Sequence, residues 1–445
     1  MTLLSDRLRG MLKPSSAAAA PGPGRLCVEH GRPVSAGDSL EHVLGGEWRG
    51  ESGSRCFVVE RRVEADARCG RIRVGDLAAW HELAAAHAPM LTAGPPARPP
   101  FVFFDLETTG LSGGAGTYAF LVGCGRFAGD GAFITQQYVL AAFGDERAML
   151  EMVARELARA EALVSFNGRS FDAPLLETRY LYHRLDWTVA RLPHIDVLHP
   201  ARRFWGATSR EAGHDGGNCS LVALEQQVLG MRRPGDVPGF EIPARYFQFV
   251  RSGDARPLAA VLEHNRLDLL SLAGLTARLM RLIAEGPDEA ADAREALALG
   301  RVYGRSGLEA RACEAFERVL VMCASMPRAS ASLADTSPSM ALIEIAALQA
   351  LACAARRARR YEDAAALWRQ VLDVAGCPQR IAREATAALA IHHEHRSRDL
   401  AAAKAFAQLS LDTGMRPAWN NAVRHRLARI DRKMTAELEA DTLFS

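Results

Sequence analysis

Four carboxylates and one histidine in this chain have the types and spacing to do chemistry. In FVFFDLETTG, residues 101–110, Asp105 and Glu107 end an apolar run two positions apart. Positions two apart on a strand share a face, so both acids leave it side by side, with Cβ atoms roughly 6–7 Å apart. Anions held that close need a counter-charge, and hard oxygen ligands favour Mg²⁺ or Mn²⁺. A third acid comes from LVSFNGRSFDAPLL, where Asn167 closes a strand and Asp172 opens the following helix. The fourth lies in EHNRLDLLSL, where His264 and Asp268 are one helical turn apart on one face. A lone D-x-E is most often a solvated turn; four acids at strand ends and helix faces of one segment point to a site.

The elements that must carry these residues follow from periodicity. FVFFDLE, TYAFLVGCGRF and AFITQQYVLA read as three antiparallel strands. The pattern then switches to helix (DERAMLEMVARELARA), strand (ALVSFN), helix (APLLETRYLYHRL), strand (HIDVLH), helix (SLVALEQQVLG) and a long helix from PLAAVLEHN to LIAEG. Meander followed by strand–helix alternation predicts an α/β fold, a mixed five-stranded sheet flanked by helices. PSSAAAAPGPG and AGPPARPP are breaks that sustain neither helix nor ladder. They divide the chain into a flexible N-terminal segment and linker (1–24), a small pre-domain (25–100), a catalytic domain (101–287) and an all-α tail (288–445). In the tail, Ala312 and Phe316, Ala364 and Trp368, and Ala402 and Phe406 repeat a small residue four before an aromatic, a spacing suited to tetratricopeptide-like helical repeats.

Composition removes several function classes. With 445 residues, 49% hydrophobic and 24% charged, the chain is globular and long enough for more than one domain. Nine cysteines without a CxxC pair argue against a zinc ribbon or a disulfide framework and fit a reduced, cytoplasmic protein. No apolar run approaches bilayer length, so no membrane partner is expected. A net charge of +2 does not by itself indicate a nucleic-acid binder, which would need a local basic patch. ARRFW (201–205) and MRRP (231–234) are candidate patches, since arginine beside an aromatic can hold phosphate while a base stacks; a solvated face is the competing reading. GLSGGAG lacks the GK[ST] of a phosphate-binding P-loop and reads as a strand connection. IHHEHR sets His392 and His395 three apart around Glu394, with no third ligand to complete a metal site.

The order DxETTG, NxxxFD, then a histidine one turn before an aspartate resembles the DEDD-type exonucleases of the ribonuclease H-like superfamily. With GTYAFLVG, FNGRSFDAPLL, HIDVLHPARRFW and HNRLDLLSL, the chain is most similar to the bacterial YprB-type group, whose members carry a helical-repeat tail. The resemblance spans roughly residues 101–285. It implies that Asp105, Glu107, Asp172 and Asp268 hold two divalent cations, Mg²⁺ or Mn²⁺, for phosphodiester hydrolysis at a nucleic-acid 3′ end. His264 would orient or deprotonate the attacking water, although three residues separate it from Asp268, the interval at which related enzymes carry tyrosine. Asn167 and Asp196 would support the site, and Thr108, Thr109, Arg202 and Arg203 are candidate nucleic-acid contacts. The tail offers a surface to a protein partner. Structure-specific endonuclease action, and an adaptor role in which the repeats bind and the nuclease fold is only a platform, stay open beside exonuclease action.

Overall fold

The computed structural model describes residues 39–51, 54–83, 88–91, 97–110, 116–206, 219–325, 338–411 and 417–444. Residues 111–115 of the glycine-rich connection and residues 1–38 lie outside the described residues.

A mixed sheet forms the centre. Its strands are β1 (Glu47–Glu51), β2 (Ser54–Val63), β5 (Phe101–Thr108), β6 (Ala119–Phe127), β7 (Phe133–Val139), β8 (Ala162–Ser165) and β9 (His194–Asp196), in spatial order β1-β2-β7-β6-β5-β8-β9. The two-residue strands β3 (Arg68–Cys69) and β4 (Ile72–Arg73) pair separately. β5, β8 and β9 are parallel, and all other pairs in the main sheet are antiparallel. The sheet thus has seven strands where five were expected. The additional pair comes from residues 47–63: β2 lies antiparallel on β7, from Phe57 opposite Val139 to Val63 opposite Phe133, and buries Cys56 to Val59. Period-two alternation marks β2 as a strand, but its partner residues lie 70 to 82 positions away and leave no local trace.

Both faces of β5 are covered. Val102, Phe104 and Leu106 enter one core with Phe120, Met149, Leu150, Tyr180 and Tyr246. Phe101 and Phe103 enter the other with Val164, Ile195, Leu269 and Leu272. Asp105 and Glu107 share the parity of Phe101 and Phe103, so they continue the face covered by the long helix that carries Leu269 and Leu272.

The helices hold the ends that carry the clustered acids. α1 (Leu40–Leu44) and α2 (Val74–Leu83) precede β5, and α3 (Glu146–Leu157) and α4 (Asp172–Tyr182) flank β8. Fully buried Arg179 of α4 donates from Nε to Glu146 Oε1 at 2.6 Å and so fixes α4, with Asp172 in its first turn, to α3. α5 (Leu198–Phe204) follows β9, α6 (Leu221–Leu224) and α7 (Ile242–Ser252) lead on, and α8 (Arg256–Glu285) lies along the sheet. Among the described residues no helix is long and apolar enough to cross a membrane.

The remaining helices are α9 (Ala293–Arg305), α10 (Glu309–Ser325), α11 (Pro338–Arg357), α12 (Tyr361–Asp373), α13 (Gln379–His392), α14 (Leu400–Leu409) and α15 (Pro417–Phe444), each packed on the next. A Cβ on Gly300 would meet Phe316 Cε1 at 2.4 Å, so glycine lets α9 and α10 close around that aromatic. Glu394 is taken by Arg429, at 2.6 and 2.7 Å, and by Lys433 at 2.9 Å, which leaves the IHHEHR segment its own counter-charges.

The core does not stop at residue 287. Leu279, Met280 and Ile283 of α8 share one cluster with Leu297, Leu299, Tyr303 and Phe316. Trp205 Nε1 donates to Glu295 Oε1 at 2.7 Å, Arg278 Nη2 to Glu295 Oε2 at 2.9 Å, and Tyr303 Oη to Ile283 O at 2.7 Å. Each large aliphatic side chain uncovered costs about 1.5–3 kcal/mol, and several together approach the whole margin of about 5–15 kcal/mol. A chain ending at residue 287 is therefore expected to be insoluble or to melt far below the full chain; equal melting temperatures would show that α9 and α10 add nothing to the catalytic domain.

Candidate active site

The acids gather outside the carboxyl ends of the parallel strands β5, β8 and β9, where open α/β sheets leave a crevice. Asp105 and Glu107 come from the end of β5, Asp172 from the first turn of α4, and His264 and Asp268 from one face of α8.

Their electrostatics show the convergence. Desolvation, then Asp268, Glu107 and Asp172, hold the Asp105 carboxyl well above its ordinary range. Glu107 is likewise raised by desolvation and by Asp268, Asp172 and Asp236. Asp172 is pushed up to about 7 by desolvation and by Asp196. Asp268 is raised by desolvation, against the opposing pull of Arg233 and His264. Among the described residues neither Glu107 nor Asp172 has an ion pair, and the Asp172 carboxylate is hydrogen-bonded only by its own backbone.

The anchors were only partly legible beforehand. Asn265, fully buried, donates from Nδ2 to Asp105 Oδ2 at 2.9 Å and accepts from Gln137 Nε2 at 2.9 Å, joining α8 to the strand through the carboxylate. Gly123 stands opposite Asp105 across β6, and a Cβ there would lie 2.1 Å from Asn265 Oδ1. His264 Nδ1 lies 2.8 Å from Asp236 Oδ1, while its Nε2 lies 3.5 Å from Asp268 Oδ2. Asn265 is a neighbour of His264 in the quoted motif and Asp236 follows MRRP by two residues, but nothing in their spacing announces these contacts.

Arg233 corrects an expectation. Sequence reading offers MRRP as a phosphate grip, yet the Arg233 side chain is 2% exposed and its guanidinium is already taken. It pairs with Glu225 at 2.6 Å, with Asp268 Oδ1 at 2.6 Å and with Asp236 at 3.4 Å. A desolvated guanidinium needs such partners, and the acids of its own chain supply them.

The supporting residues occupy the loop after β8. Asp196, at the end of β9, accepts from Asn167 N at 2.7 Å, from Arg169 N at 3.2 Å and from Leu198 N at 3.2 Å. Asn167 has φ of 64°, a left-handed conformation that asparagine tolerates better than most residues. Thr108 Oγ1 donates to Gly110 O at 3.0 Å, and Thr109 Oγ1 accepts from Tyr118 N at 3.0 Å, so both hydroxyls brace the neck of the glycine-rich connection. Arg202 and Arg203 are exposed on α5.

Among the described residues no three His, Cys, Asp or Glu side chains are drawn into a ready-made metal cage. The donor set nevertheless suits hard divalent cations: clustered carboxylate oxygens raise one another's proton affinity, and two of the carboxylates lack a counter-charge among the described residues. A Cβ on Gly168 would lie 2.6 Å from Asp172 Oδ2 and 2.5 Å from Ser165 Oγ. Gly168→Ala is expected to displace the Asp172 carboxylate and to lower kcat at saturating metal by about 10²-fold, the usual cost of an ångström of misplacement. An unchanged kcat would show that this carboxylate's position is not critical.

Residues 102–280 match a family described as RNase_H superfamily. The chain is 29% identical over 339 residues to the uncharacterized protein YprB of Bacillus subtilis (strain 168), with 75% of each covered. A solved family B DNA polymerase from the hyperthermophilic archaeon Pyrobaculum calidifontis aligns at 15% identity and a TM-score of 0.32, over 51% of this chain and 29% of the polymerase.

Proposed function

We propose, from the match of residues 102–280 to the RNase_H superfamily, that the chain is a metal-dependent nuclease that hydrolyses phosphodiester bonds from a nucleic-acid 3′ end. One observation supports this above the rest: four carboxylates converge at the strand ends, and Glu107 and Asp172 among them have no counter-charge within the described chain.

Asp105, Glu107, Asp172 and Asp268 are the residues to hold two divalent cations, Mg²⁺ or Mn²⁺, whose chemistry would be to activate a water and stabilise the leaving 3′ oxygen. The chain's own groups do the positioning. Asn265 fixes one Asp105 oxygen, Oδ2, by donating to it. Asp236 accepts the Nδ1 proton of His264, which makes Nε2 the basic nitrogen, on the side of Asp268. That nitrogen takes the proton of the attacking water. Asp196 keeps the Asn167 loop in register with α4, and thereby Asp172.

The serial packing of α9–α15 supports a tetratricopeptide-like tail in this reading, and with it a role in engaging a protein partner. End-labelled single-stranded and duplex DNA and RNA, each with Mg²⁺ or Mn²⁺ and with products sized, test the activity. Stepwise release of mononucleotides from the 3′ end is expected. Internal fragments would make the enzyme an endonuclease, and binding without any cleavage would favour the adaptor role.

A further inference from the structure

A second cationic feature lies apart from the carboxylates. α5 and α9 meet around a cavity of about 390 Å³ whose lining includes Arg202 and Arg203 from α5 and Arg294, Arg301 and Arg305 from α9. Its floor is apolar, made by Leu297, Ala298, Leu342 and Ile343, and among the described residues no carboxylate lines it. Arg294 is partly committed, donating from Nη1 to Gly206 O at 2.7 Å. Arg202, Arg203, Arg301 and Arg305 make no hydrogen bond or ion pair among the described residues.

Three largely buried arginines elsewhere in the chain are neutralised by carboxylates. Arg179 has Glu146, Arg233 has Glu225 and Asp268, and Arg278 has Glu295. Here the cations face one another instead. Desolvation lowers the proton affinity of Arg301, and desolvation followed by Arg203 and Arg301 lowers that of Arg305. Four guanidiniums around one concavity, those of Arg202, Arg203, Arg301 and Arg305, have no described acid beside them and repel one another unless an anion is shared among them.

We propose that this cavity is a second nucleic-acid contact, in which the arginines of α5 and α9 hold backbone phosphates of the strand engaged at the active site. The assignment rests on the nuclease reading above. Extent argues for a polyanion over a single phosphate: Arg294 to Arg305 covers about 16 Å of helix rise, and α5 adds a second wall. The apolar floor gives a base or sugar a surface to lie on, and guanidiniums suit phosphate oxygens geometrically. Continuity with the site comes from α5. It begins two residues after Asp196, which holds the Asn167 loop, and is only about 10 Å long.

The test is equilibrium binding of a fluorescein-labelled 20-mer single strand to the full-length protein in EDTA, across a salt series, with cleavage of the same strand measured separately in Mn²⁺. Arg301→Ala with Arg305→Ala is expected to weaken binding roughly ten-fold at moderate salt and to reduce the slope of log affinity against log salt by about 1.4, as for two lost phosphate contacts. Arg301→Lys with Arg305→Lys should retain the slope. Arg202→Ala with Arg203→Ala, on the exposed face of α5, checks the cavity from its other wall and covers the case in which the α9 pair misfolds. If wild type binds and cleaves while both alanine pairs keep its affinity and slope, the cavity is not a phosphate contact and the nuclease reading stands. Binding with the expected slope changes but no cleavage would leave the cavity assigned and remove the nuclease. Wild type that neither binds nor cleaves the strand would remove both.

Discussion

Asp105→Ala and Asp172→Ala are each expected to lower hydrolysis by at least about 10³-fold, equivalent to about 4 kcal/mol of transition-state stabilisation. Each removes one carboxylate, and so one negative charge, from the cluster that would hold the metal ions. Stability should move the other way. The metal-free site crowds like charges, so deleting one carboxylate relieves repulsion, and the variants are expected to melt no lower than the metal-free wild type. The pH dependence has a definite sign. Asp172 titrates near 7 in the fold against 3.8 ordinarily, so the folded protein binds this proton more tightly than the unfolded chain. Its favourable contribution is full below about pH 4 and is lost as pH rises through about 7, with Asp105 and Glu107 acting in the same direction. Mn²⁺ should therefore raise the melting temperature more at pH 8 than at pH 5, and this extra gain should shrink in Asp105→Ala. A near wild-type rate for Asp105→Ala on the best substrate would sink the two-metal assignment; a metal-induced shift indifferent to pH would separate the carboxylate cluster from metal binding.

His264→Ala is the second large effect, an expected loss of about 10²- to 10⁴-fold in kcat, the usual worth of a general base. Metal-dependent stabilisation should persist, because the four acids are untouched. His264→Tyr is the sharper variant. The three-residue interval to Asp268 is the spacing at which related enzymes carry tyrosine, and a phenol on the same helical face could serve the same water. It should retain more activity than His264→Ala. Asp236→Ala removes the acceptor of the Nδ1 proton and lets the ring turn, so it should lower kcat, by less than His264→Ala does, with KM little changed. Coincident rates for wild type and His264→Ala would take the histidine out of the mechanism and leave water activation to the metal ions.

Much of this protein can be read along the chain because the signals are local. Period-two alternation is enough to find β5 and to show that Asp105 and Glu107 share a face, and helical spacing is enough to put His264 and Asp268 on one side of α8. The three sites of origin of the acids, β5, α4 and α8, follow from the same rules. Which groups meet across those elements is a different matter. The pairing of β2 with β7, the clasp of Asn265 on Asp105, the Asp236–His264 contact and the capture of Arg233 by Glu225 and Asp268 join residues 8 to 160 positions apart. A polar side chain has the same local signature whether it faces solvent or a buried partner, so MRRP reads as a free basic patch until the packing of α8 closes over Arg233. The same reasoning explains the arginine cavity. RR in ARRFW and the arginines of α9 are unremarkable singly, and only the docking of α9 against α5, through Trp205 and Glu295, brings their charges to one concavity. Sequence determined the chemistry available and the faces that present it; tertiary packing decided which charges were neutralised and which were left for a ligand, because desolvation and pairing are properties of the assembled interior.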